Sequence, residues 1–111
     1  MMINARELSK AVNFASSMIA SLRKIEAKKI RPIPKTAEGD LPGSISLEAL
    51  GLTKMVDGFQ RYLTINEIDN AGLEGGPFYE ASVEIRWKNS KQVSSPEFNL
   101  SVKGLLGEKK P

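Results

Sequence analysis

A chain of 111 residues with 41% apolar content can close one domain around a single thin core. It holds no cysteine and no histidine, which excludes disulfides, thiolate chemistry and imidazole bases or ligands. The net charge is +3 but uneven: residues 1–35 carry eight Lys/Arg against two Asp/Glu, and residues 36–111 carry eight against eleven. No apolar run reaches the length needed to cross a membrane, and the first residues do not read as a signal peptide.

The first predicted element is a helix over about residues 4–31. Residues 5–30 contain no Gly and no Pro, and Ala5, Leu8, Val12, Ala15, Ile19, Leu22 and Ile25 recur at gaps of three and four. That spacing puts them on one helical stripe. Asn4 can cap the first turn, with Glu7 three residues later as a capping box needs. Pro32 disfavours helical geometry in Arg31 and sets the end. At about 1.5 Å per residue the helix would be roughly 40 Å long, and its stripe needs a cover.

A loop is expected over 32–58, because residues 31–46 hold three prolines and two glycines. Within it, Ser46 can cap one or two helical turns carrying Leu47 and Leu50, which Gly51 weakens. Strand signals then dominate. Phe59 to Ile68 reads as a first strand through Tyr62, Leu63, Thr64 and Ile65. Turn residues follow at Asp69-Asn70 and from Gly72 to Pro77. Phe78 to Lys88 alternates, with Tyr79, Ala81, Val83, Ile85 and Trp87 on one face and Glu80, Ser82, Glu84, Arg86 and Lys88 on the other. Phe98 to Lys103 alternates again, with Phe98, Leu100 and Val102 apolar.

One dry face and one wet face mean an antiparallel sheet covered on a single side. The N-terminal helix carries the matching dry stripe. The expected fold is therefore α+β: one domain over 1–111, a long N-terminal helix packed on a three-stranded antiparallel β-meander over about 59–105, and a tail over 106–111. Val83, Ile85, Trp87, Leu100 and Val102 form the expected sheet core. Ala5, Leu8, Val12, Ala15, Ile19 and Leu22 form the helix face against it. Because the helix outruns the strands, its turns before Val12 should be less covered than those after.

Candidate chemistry is sparse. A carboxylate pair among Glu67, Asp69, Glu74, Glu80 and Glu84 is conceivable, but solvated surface charge accounts for all five. Asp69-Asn70 with Glu74 offers loop oxygens for calcium without the dense spacing of a dedicated loop. The glycines from Gly72 to Gly76 are turn residues, since no helix or Lys-Ser/Thr follows them. Asn99-Leu100-Ser101 matches a glycosylation triplet by chance. Trp87 is expected to cap the core edge rather than stand out as a binding anchor. Arg23, Lys24, Lys28, Lys29, Arg31 and Lys35 concentrate positive charge. The first five could contact a polyanion, although cations also complement a helix C-terminus and no aromatic is interleaved with them.

Two stretches carry a resemblance. The first, residues 11–23, sets small residues and a short apolar stripe before a basic turn. The second joins Tyr79–Trp87, YEASVEIRW, to Phe98–Leu105, FNLSVKGL, across a polar turn. Together they resemble the soluble part of type IV pilin-like proteins, nearest the minor pilins of type IV pili and the minor pseudopilins of type II secretion. The first looks like the family's post-membrane helix and the second like its closing strand pair. The family's processing site, and the apolar helical half that follows it, have no counterpart here. The Met1-Met2 start fits a fragment cut after that segment.

The resemblance implies a non-enzymatic structural subunit: methylated, anchored in the inner membrane, exposed on its periplasmic face and joined to other pilin-like subunits in a filament for protein transport. It implies no cofactor, no metal and no nucleic acid. The alternative class is a small basic-helix module that binds nucleic acid or an anionic membrane surface.

Overall fold

A computed structural model of the protein describes residues 5–25, 29–55, 58–68, 78–88 and 97–106. Helix α1 spans Ala5–Leu22 and strand β1 spans Ile33–Ala37. Two short 3-10 turns follow, at Glu38–Asp40 and Gly43–Ile45, and then the single turn of α2, Leu47–Leu50. Strands β2 (Phe59–Ile68), β3 (Phe78–Lys88) and β4 (Glu97–Leu106) complete the described elements. The four strands form one antiparallel sheet in the order β1-β2-β3-β4.

The expected fold is overturned in two respects: the sheet has four strands instead of three, and the helix is not long. The extra strand, β1, lies in the stretch expected as loop. Proline is compatible with an edge strand, and an irregularity between Ile33 and Thr36 accommodates Pro34. Thr36 hydroxyl donates to the Pro34 carbonyl at 2.6 Å, closing the bulge locally. Helix α1 stops 18 residues in. Its end tightens into i→i+3 bonds, Lys24 N–H to Ser21 O and Ile25 N–H to Leu22 O, both at 3.1 Å. Lys24 and Lys28 would repel at i, i+4 if the helix ran on, and the chain must double back to bury Ile30. The Asn4 cap, Lys28 and the 69–77 turn lie outside the described residues.

Alternation decides the sheet. Strand β3 is buried at Tyr79, Ala81, Val83, Ile85 and Trp87 and half-exposed between them, as a one-sided strand demands. In β4 the dry-face residues Phe98, Leu100 and Val102 are only half-buried, because this is an edge strand. The strand continues through Gly104 to a buried Leu106, one residue beyond the expected limit of the sheet.

Two covers divide the dry face. Helix α1 lies over β3 and β4 in equal measure. Its contact stripe is Ala11, Ala15, Met18, Ile19 and Leu22. The 38–55 segment covers the β1–β2 side with Leu41, Ile45, Leu50, Leu52 and Met55. Ser46 caps α2 by accepting the Ala49 N–H at 3.2 Å. Gly51 ends α2 in the left-handed region at φ 71°, so it is the C-cap of the turn and not a defect within it.

Aromatic side chains close one end. Phe59, Trp87 and Phe98 are register partners on β2, β3 and β4. Their ring centroids are 5.8 Å apart at each step, and Phe14 of α1 meets Phe59 edge-on at 5.6 Å. Further along α1, Gly104 lets the helix approach β4. A Cβ there would stand 2.7 Å from Ile19 Cγ2 and 3.0 Å from Arg23 Nη2.

Candidate functional site

The flank of α1 that overlooks β4 is the first feature of interest. Ile19 touches Gly104, and Arg23 Nε–H donates to the Leu105 carbonyl at 3.2 Å. Leu8 and Val12 share that flank by helical geometry, at i−11 and i−7 from Ile19. They are 37% and 39% exposed, although both are large and apolar. Arg6, Ser9 and Lys10 are exposed too, so Ala11 is the first buried residue among the described side chains of α1. The expected overhang is not the reason: at about 1.5 Å per residue the 18 residues of α1 are shorter than the ten- and eleven-residue strands. Leu8 and Val12 are therefore bare on the side of the helix and not beyond the sheet. Of the sequence-predicted helix face, Ala15, Ile19 and Leu22 reach the core and Leu8 and Val12 do not. The side chain of Ala5 lies outside the described residues. In the predicted sheet core, Val83, Ile85 and Trp87 are buried, while Leu100 and Val102 are half-buried against it. Strand β4 also offers a backbone edge, with no strand paired to its outer side among the described residues.

The wet face of the sheet holds an ionic cluster that sequence reasoning missed. Glu84 pairs with Lys35 of β1 and accepts from Arg86 Nε at 2.7 Å. Tyr62, the register partner of Glu84, lies under Lys35 and Arg86, with the guanidinium carbon 4.7 Å from its ring centroid. The Arg86 hydrogen bond holds the Glu84 carboxyl below the usual glutamate range, burial opposes this, and Lys35 adds to the lowering. The same hydrogen bond raises the guanidinium of Arg86. Glu80 is on this face as expected. Glu84 is engaged by cations and is not poised as an acid or base.

A second missed feature is Arg61, 3% exposed on the dry face of β2. Its Nε donates to Glu38 Oε1 at 3.1 Å and its Nη2 to the Thr53 carbonyl at 3.0 Å. Glu38 Oε2 also accepts the Met55 N–H at 3.0 Å. Arg61 Nε and Nη2 and both Glu38 carboxylate oxygens are bonded to protein atoms, so the clamp fastens the 38–55 segment to β2. An open hollow of about 320 Å³ beside it is lined by Lys54, Met55 and Tyr62. The only sequence signal for Arg61 was its phase, a charge in step with Leu63 and Ile65.

The basic cluster is dispersed. Arg23 is committed to Leu105 and Arg31 Nη1 donates to the Ile30 carbonyl at 2.9 Å. Lys24 and Lys29 line an open hollow of about 560 Å³ with Ile25, Ser44 and Ala49. No aromatic ring borders it among the described residues. No group of three or more potential metal-ligating side chains occurs among the described residues. No described helix is long and apolar enough to cross a membrane.

Compared with family models, curated proteins and solved structures, the chain matches none.

Proposed function

We propose that the protein is a non-enzymatic assembly subunit of a pilin-like filament, a minor pilin or a minor pseudopilin of type II secretion. In this reading it works at the periplasmic face of the inner membrane, joined there through an apolar segment continuous with the N-terminal end of α1. The observation that supports it is the bare Leu8–Val12 flank of α1, beside the open edge of β4. Large apolar side chains left bare on a helix flank find their cover in a neighbouring molecule. Neighbouring subunits would pack that flank in the filament core, and the wet face of the sheet would stay outward.

The test is made in the source cell with the full gene product. A cysteine placed at position 8 or 12 should crosslink to other pilin-like subunits of the envelope, and the tagged protein should co-sediment with sheared filaments. Leu8→Arg with Val12→Arg should abolish co-sedimentation and leave the melting temperature near that of the wild type. A protein confined to the cytosol, or one whose sedimentation ignores the double substitution, overturns the proposal.

A further inference from the structure

We infer that β4 pairs with β4 of a second copy, antiparallel about a two-fold axis through Leu100, joining two sheets into one of eight strands. The two edges of the sheet differ in what they permit. Strand β1 is short, carries Pro34 and is bulged, all of which discourage pairing. Strand β4 runs ten residues, pairs with β3 without a register shift and contains no proline. A long, regular, unbulged edge is a template for another strand.

The sequence of β4 is self-complementary in one register. With Leu100 on the axis, Glu97 of each copy meets Lys103 of the other, Phe98 meets Val102 and Asn99 meets Ser101. Dry residues face dry and wet face wet. Two ion pairs form, and each extends the cross-strand pair that Glu97 already makes with Lys88 of β3. Moving the axis to Ser101 sets Glu97 against Leu105 and Lys103 against Asn99. Moving it to Asn99 sets Glu97 against Ser101. Both neighbouring registers lose the charge match.

The helices fit the same axis. Strands pair about 4.8 Å apart, so an axis lying midway between β3 and β4 sits about 5 Å from the dyad. Two copies of α1 would then run about 10 Å apart, an ordinary packing distance for helices. The flank each presents to the other is the one bearing exposed Leu8 and Val12. The pairing therefore supplies apolar cover as well as a hydrogen-bonded ladder. It draws on the same flank as the filament proposal but is tested on the purified chain alone, so either can fail without the other.

Sedimentation equilibrium of the purified full chain, from micromolar to millimolar concentration, tests it. The wild type should show a monomer–dimer equilibrium that weakens with added salt. Glu97→Lys and Lys103→Glu should each raise the dimer Kd about tenfold or more, since two favourable cross-strand pairs become two repulsive ones. Both positions are solvent-exposed, so both variants should melt as folded proteins. An equimolar mixture of the two variants should regain wild-type association, because each then presents to the other the opposite charge at both sites. A wild type that stays monomeric throughout overturns the inference, and an extended segment of another protein would become the candidate for the edge. Variants that associate like the wild type, or a mixture no stronger than its components, overturn it equally.

Discussion

Gly104→Ala probes how closely α1 lies on β4. The added methyl would sit 2.7 Å from Ile19 Cγ2, well inside contact distance. That carbon is a branch on a β-branched residue, stiff at χ1 in a helix, so it cannot swing aside. The helix must lift, and Arg23 must move with it, straining its hydrogen bond to the Leu105 carbonyl. Overpacking of this kind costs about 1–3 kcal/mol. Removing glycine from the unfolded chain returns about 0.4–1 kcal/mol. The expected net loss is roughly 1–2 kcal/mol, or on the order of 5–15 °C in Tm for a domain of this size. Thermal unfolding followed by circular dichroism at matched protein concentration reads it. Gly39→Ala is the control, because nothing lies within 4 Å of a Cβ there, and it should leave Tm unchanged or slightly raised. In Ile19→Ala the crowding partner is gone, so Gly104→Ala on that background should cost clearly less than alone. If Gly104→Ala melts like Gly39→Ala, the helix does not rest on β4 at this distance, and the placement of its Leu8–Val12 flank fails with it.

Two further outcomes concern charge. Glu38→Ala should cost about 3–5 kcal/mol in urea unfolding, because it leaves the Arg61 guanidinium buried and unpaired, whereas Glu38→Leu with Arg61→Met should recover most of that loss. Glu84 has a folded-state pKa below its unfolded one, so its contribution is complete above the usual glutamate range and drains as pH falls through the lowered value. Glu84→Gln should thus cost under about 1 kcal/mol at pH 7 and converge on the wild type in Tm as pH falls from the usual glutamate range through the lowered value. A gap that does not narrow as pH falls below the usual glutamate range would deny the Arg86 and Lys35 pairing.

Strands β2, β3 and β4 were legible because alternation records which face is dry, and β3 states this over eleven residues. Strand β1 was not, since Ile33-Pro34-Lys35 reads as a proline-rich connection and only its pairing with β2 makes it a strand. The helix begins where expected but ends at Leu22 instead of near Arg31, and its contact face is rotated in part. The stripes 8-12-15-19-22 and 11-15-18-22 share Ala15 and Leu22. The structure uses the second together with Ile19 of the first, because small Ala11 lets the helix down onto the sheet where Val12 would hold it off. The early end of α1 depends on where Ile30 must go, a tertiary demand without local signature. The partners of the missed charges are equally remote in sequence: Glu38 lies 23 residues from Arg61, and Lys35 lies a full strand beyond Tyr62 from Glu84.

The single tryptophan turns the aromatic end of the sheet into an optical reporter. Trp87 is 2% exposed between Phe59 and Phe98, and its indole N–H finds no partner among the described residues. An excited indole in such a site has neither water nor a fixed acceptor to relax toward, so the native protein should emit at short wavelength. Loosening of the sheet at this end admits solvent and shifts the emission to the red. The sheet-facing half of α1 touches the same row through Phe14, so undocking of the helix registers in the same signal. Unfolding and helix release can thus be followed without adding a label to a chain whose exposed faces are themselves in question.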